Sequence, residues 1–224
     1  MWQERREQGS AVVPVSVDVS ASLRVVAITG PNTGGKTVTL KSLGLAALMA
    51  RAGLWLPCSG HPTLPWCAQV LADIGDEQSL QQSLSTFSGH VKRIGRILEA
   101  IGSGPAPALV LLDEVGAGTD PSEGSALATA LLRVLADRAR LTIATTHFGE
   151  LKALKYSDSR FENASVAFDS ETLSPTYHLL WGIPGRSNAL AIATRLGLDA
   201  GVIDQASSLL SPRGDGETNT VIRG

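Results

Sequence analysis

Eight consecutive residues, Gly30, Pro31, Asn32, Thr33, Gly34, Gly35, Lys36 and Thr37, spell a glycine, four spacers and then Gly-Lys-Thr. Residues without a Cβ let successive backbone N–H groups converge on phosphate oxygens, and a helix starting at the end of such a loop adds the positive end of its dipole. Lys36 supplies a cation for the terminal phosphates and Thr37 a hydroxyl for magnesium, so the run through Val38 is a candidate nucleoside-triphosphate cradle. Farther along, Asp113 and Glu114 follow four apolar residues. Two carboxylates at the end of a buried strand suit a division of labour in which Asp113 holds magnesium and Glu114 orients and deprotonates the attacking water. His147 ends the next apolar run, where it can sense the terminal phosphate. Each feature alone has a plainer reading: a glycine turn, a strand end meeting solvent, a structural histidine. Together in one chain they point to cleavage of a phosphoanhydride.

Such a site needs particular elements around it. Residues 23–29 read as a short buried strand feeding the glycine loop, and 37–51 as a helix with Leu40, Leu43, Ala47 and Leu48 on one face. The alternation of Val13, Val15, Val17 and Val19 predicts an earlier half-buried strand. Prolines 57, 62 and 65 make 54–66 a surface loop. A second helix is expected over 85–101 and a strand over 109–112. Asp120, Pro121 and Glu123 mark the start of a helix with Leu127, Leu131 and Leu135 as its buried stripe. A strand over 141–145 leads to His147. Strands alternating with helices predict an α/β fold, a mostly parallel sheet with ligands at the carboxyl ends of its strands. Residues 164–168 and 176–181 read as an antiparallel edge hairpin, and 188–196 and 200–210 as a small C-terminal helical pair. The expected organisation is a core over 1–186, a helical dimerisation element over 187–211 and a flexible tail over 212–224.

Composition narrows the function classes. The 224 residues are 43 % hydrophobic and 18 % charged with a formal charge of −2, which excludes a wholly disordered chain and lacks the basic excess of an autonomous nucleic-acid binder. No apolar run approaches a membrane span, and the first ten residues are too polar for a signal peptide, so no membrane partner and a cytoplasmic location are expected. Cys58, His61 and Cys67 lack a fourth ligand for a structural zinc site. Lys92, Arg93 and Arg96 are the densest basic group and read as a solvated helix face rather than a DNA contact. Trp2, Trp55, Trp66 and Trp181 form no stacking array and read as packing residues.

The phosphate loop, Ala72-Asp-Ile-Gly-Asp-Glu-Gln78, Ser83-Leu-Ser-Thr-Phe-Ser-Gly-His90, Leu112-Asp-Glu-Val-Gly-Ala-Gly-Thr-Asp-Pro121 and Thr145-Thr-His147 together resemble the ATPase domain of the MutS family. Asn163-Ala-Ser-Val166 and Gly182-Ile-Pro-Gly-Arg-Ser-Asn188 narrow the resemblance to the bacterial MutS-two proteins. The resemblance implies a P-loop fold of ABC type, ATP and magnesium as ligands, and a homodimer in which two composite sites form between facing subunits. Ser85 then corresponds to the signature serine that addresses the partner's nucleotide. Asn32 would orient the terminal phosphate or the water, Asp120 would lie on a loop exchanged across the dimer, and Gln78 on a segment that couples nucleotide state to the rest of the protein. Family members bind mismatched or branched DNA, suppress homologous recombination and act on collided ribosomes, through clamp, lever and Smr nuclease parts expected outside this chain, as is the segment that packs on adenine. The competing expectation is a nucleotide-binding dimerisation module with little hydrolysis of its own. A kinase or GTPase reading lacks an arginine-rich lid and an Asn-Lys-x-Asp element.

Overall fold

Strands with apolar residues at both odd and even positions must be covered on both faces, and those of this chain are. The computed structural model describes residues 13–30, 35–75, 83–169, 174–185 and 189–210. Six strands, β1 (Val25–Thr29), β2 (Gln69–Asp73), β3 (Ala106–Leu112), β4 (Ala139–Thr145), β5 (Phe161–Asp169) and β6 (Ser174–Trp181), form one sheet in the order β2-β3-β4-β1-β5-β6. The neighbours from β2 to β5 run parallel, and β5 and β6 are antiparallel. The helices are α1 (Lys36–Arg51), α2 (Ser83–Ile101), α3 (Pro121–Arg138), α4 (Gly149–Lys152), α5 (Leu154–Ser157), α6 (Ala189–Arg195) and α7 (Ala200–Leu210). The result is the expected α/β fold, a mostly parallel sheet flanked by helices, with its antiparallel edge and terminal helical pair.

Alternate residues of β3 show how the faces are divided. Ala108, Val110 and Leu112 join Ile97 and Ile101 of α2 and Leu132 and Leu135 of α3 in one core, while Leu109 and Leu111 join Leu40 and Ala47 of α1 in the other. Between them these layers hold β1 at the centre, in register with Thr142 of β4 on one side and Phe161 of β5 on the other at Val25. The chain leaves β1 toward β2 on one side and returns to β5 on the opposite side, so the carboxyl ends of β1, β3 and β4 lie where strand order reverses and a ligand crevice forms.

Several expectations need correction. Residues 13–20 alternate between half-buried valines and exposed partners but form no ladder; Trp181 Nε1 donates to Ser16 O at 3.4 Å, and Val19 packs on the α1-side core. Period two therefore reflects an extended segment lying on the domain rather than a paired strand. Leu48 and Leu127 are exposed, and the buried stripes run through Leu40, Gly44 and Ala47 in α1 and through Gly124, Ala128, Leu131, Leu132 and Leu135 in α3. Strand β2 has no counterpart in the sequence reading, because at the edge of the sheet only Asp73 of its five residues is fully buried. Trp55 and Trp66 are 95 % and 70 % exposed, not packing residues. Trp2 lies outside the described residues.

Candidate active site

The site is assembled where α1 begins. Gly35 caps the helix at φ 91, a left-handed conformation that favours glycine, and its carbonyl starts the hydrogen-bond ladder by accepting from Thr39 N at 2.9 Å. Lys36 is 2 % exposed and donates from Nζ to Gly30 O at 2.5 Å, joining the start of α1 to the end of β1. Burial lowers its pKa from 10.5 to about 8, partly opposed by the charges of Glu114 and Asp113. An ammonium held in this way favours a polyanion that restores its counter-charge.

The acid pair sits opposite. Asp113, buried at the end of β3, accepts from Thr37 Oγ1 at 2.7 Å through Oδ2 and from Thr145 Oγ1 at 2.5 Å through Oδ1. Glu114 N donates to Thr145 Oγ1 at 2.7 Å, and Glu114 adopts φ 49, a left-handed backbone rare in residues with a side chain. That turn lets two adjacent carboxylates face different tasks. His147 Nε2 lies 3.5 Å from Glu114 Oε1 and 3.5 Å from Lys36 Nζ. Lys36, Thr37, Asp113, Glu114 and His147 thus converge from three strand ends. Oxygen donors from Thr37 and Asp113 at one point fit a hard, mostly water-coordinated cation such as magnesium. Among the described residues, no group of three His, Cys, Asp or Glu side chains gathers as an alternative metal site.

Other expected residues are placed differently. Pro31, Asn32, Thr33, Gly34 and Gln78 lie outside the described residues. Ser85 falls in the first turn of α2, with its side chain outside the described set. Val38 is 59 % exposed on the outer side of α1. Asp120 caps α3, with Oδ1 accepting from Ser122 N at 3.0 Å and Glu123 N at 3.1 Å, so one of its oxygens is committed within the chain. Arg93 is not a free surface cation: its Nε donates to the buried Asp73 carboxylate.

Two residues escaped the sequence reading. Thr145 holds both members of the acid pair, and its place beside His147 in a quoted motif was the available signal. Tyr177, at φ 60 in β6, puts Cδ1 only 2.9 Å from where a Cβ on Gly35 would stand. Its ring therefore walls Gly35, which no spacing in the sequence announces. Behind the loop, Gly185 N donates to Thr29 Oγ1 at 2.7 Å and Lys152 Nζ donates to Gly185 O at 2.7 Å, so the 182–185 segment is tied to the end of β1.

Similarity to known proteins gives the family. Residues 26–212 match the family model of MutS domain V. The chain is 62 % identical, over its whole length, to 29 % of the Endonuclease MutS2 of Synechocystis sp.. It is 57 % identical to that of Symbiobacterium thermophilum, with 89 % of the chain aligned to 25 % of the protein, and 51 % identical to that of Caldicellulosiruptor saccharolyticus, with 92 % aligned to 26 %. The chain thus spans less than a third of the length of these relatives. With a family model covering most of the chain and a P-loop strand order beneath it, the chain belongs to the MutS2 family, as its ATPase-type domain V.

Proposed function

We propose that the chain binds ATP with magnesium and hydrolyses it, and that two copies close on the nucleotide and separate after cleavage. The reading rests above all on the meeting of Lys36, Glu114 and His147 within 3.5 Å steps beside the Thr37–Asp113 pair. Lys36 neutralises the terminal phosphates, the glycine-rich run from Gly30 to Val38 would offer them backbone N–H donors, and Asn32 would orient the terminal phosphate or the water. Magnesium, held by Thr37 and Asp113, would withdraw charge from the phosphate oxygens. Glu114 accepts the proton of the attacking water at its carboxylate, and His147, within reach of both Glu114 and Lys36, orients that water and the terminal phosphate. Tyr177 offers an aromatic wall on which a base could stack.

In this reading Ser85, at the amino end of α2, faces the nucleotide of the second copy, and Asp120 and Gln78 belong to the segments that relay closure. Residues 1–186 form the nucleotide-binding core and 187–211 the dimerisation element, followed by the 212–224 tail. Closure becomes work because bonds to a shared nucleotide exist only in the joined state. In a protein of the relatives' full length that work would act on DNA, to restrain recombination, or on ribosomes, in the cytoplasm. The described helices include none long and apolar enough to cross a membrane. Phosphate release with magnesium and ATP, measured alongside molar mass in solution, tests the reading. The expected result is turnover in the native chain and a trapped dimer in Glu114→Gln. A native chain that binds ATP without releasing phosphate would instead favour a passive dimerisation module.

A further inference from the structure

His90 belongs to a motif quoted above, yet the phosphate chemistry makes no use of it. Its Nδ1 lies 2.7 Å from Asp73 Oδ2, while Arg93 Nε donates to Asp73 Oδ1 and Arg93 Nη2 stands 3.2 Å from His90 Nδ1. Both donors come from one face of α2, three residues apart. The carboxylate that receives them is 3 % exposed, so these two donors stand in for the water it has lost. The same residue reaches the acid pair through its backbone, because Asp73 O accepts from Asp113 N at 2.8 Å. One turn before His90, Phe87 packs against the loop that follows Glu114: a Cβ on Gly118 would lie 3.4 Å from Phe87 Cβ. Positions 87, 90 and 93 therefore tie the amino-terminal half of α2 to the magnesium-side strand ends, whereas Ile97 and Ile101 bury its far half in the core.

We propose that Asp73, His90 and Arg93 form a positioning clamp that sets the angle and register of the amino end of α2 against Asp113. Ser85 lies five residues before His90, about 7–8 Å along the helix at ~1.5 Å per residue. A tilt permitted at His90 is thus carried to the residue proposed to meet the second copy's nucleotide. The clamp rests on the ATPase reading and adds a mechanical link to it: Asp73 holds α2 by its side chain and β3 by its main chain. A cluster that merely stabilised the fold would lower the melting temperature on disruption and leave turnover by the folded protein unchanged.

The test uses the full chain, with phosphate release, binding of a fluorescent ATP analogue and thermal melting measured on each variant. His90→Leu removes the donor, His90→Asn keeps an N–H near the Nδ1 position, and Arg93→Lys keeps the charge without the guanidinium Nε. The clamp predicts that His90→Leu and Arg93→Lys lower kcat at least about tenfold, with KM and analogue affinity within about twofold of the native chain. His90→Asn should recover kcat to within about threefold. Native kcat in folded His90→Leu, affinity falling in step with kcat, or no recovery in His90→Asn would overturn it. If His90→Leu does not fold, Arg93→Lys, at a side chain 42 % exposed, carries the same criteria. Absence of turnover in the native chain would remove the ATPase reading and the clamp with it, an outcome distinct from active native protein with equally active variants.

Discussion

At the carboxyl ends of β1, β3 and β4, Lys36 and Asp113 are nearly inaccessible and bonded to Gly30, Thr37 and Thr145, whereas no side chain of α6 or α7 is more than partly buried. Leu196 and Leu209 in and beside that pair are 78 % and 74 % exposed, with Leu198, Val202 and Leu210 also open. Charges are withdrawn from water in one region, and apolar surface is left in water in the other. Buried charge is tolerable because a single chain supplies its partners. Exposed leucines on an amphipathic helical pair are what a chain presents before a second surface covers them. The contrast supports the proposals made above, a nucleotide centre largely prepared within one copy and a terminal pair covered by a second.

The largest effect should separate chemistry from binding at the buried end. Glu114→Gln is expected to lower turnover by about 10²- to 10⁴-fold while ATP affinity, read by calorimetry, holds. Lys36→Met should weaken ATP binding by about tenfold to a hundredfold, the scale of one lost charge-assisted bond. The same change should stabilise the nucleotide-free chain by on the order of 2–3 kcal/mol, since a lysine whose pKa falls from 10.5 to about 8 on folding opposes folding in its charged form. That penalty is complete below about pH 8 and is relieved as pH rises toward 10.5. Denaturant midpoints should therefore climb across that window in the native chain and climb less in Lys36→Met, where the partly buried Lys152, also lowered by desolvation, still contributes. A level native profile would show that the ammonium is not disfavoured there.

At the uncovered end, Leu196→Glu with Leu209→Glu should weaken self-association by about tenfold in sedimentation while shifting unfolding by less than about 0.5 kcal/mol per site. A large loss of stability would mean that these leucines already have cover within the chain. A helix cap outside both regions serves as the control: Asp120→Ala removes the α3 cap and should destabilise by about 1 kcal/mol in denaturant unfolding.

The buried end was the more legible in the sequence. Gly-Lys-Thr and the apolar run before Asp113 announce themselves because backbone cradles and buried strand ends need those residue types at fixed spacing. The cap at Asp120 and the antiparallel edge were readable for the same reason. What escaped depends on contacts distant in sequence: Thr145 bridging the acid pair, Tyr177 walling Gly35 from across the sheet, and Asp73 drawing Arg93 out of its solvated face. The valine alternation at 13–19 misled because an extended segment resting on a domain alternates just as a strand does. Strand β2 was missed because an edge strand with one fully buried residue carries little hydrophobic signal.

Glu114 stands on a left-handed backbone where a residue without a side chain would rest more comfortably by about 1–2 kcal/mol. A laboratory selection for heat resistance alone would thus be drawn to Glu114→Gly, just as it would be drawn to discharge Lys36. Sturdier descendants found without an activity screen would be expected to lose the centre first, so thermal tolerance and turnover must be selected together if this domain is to be improved.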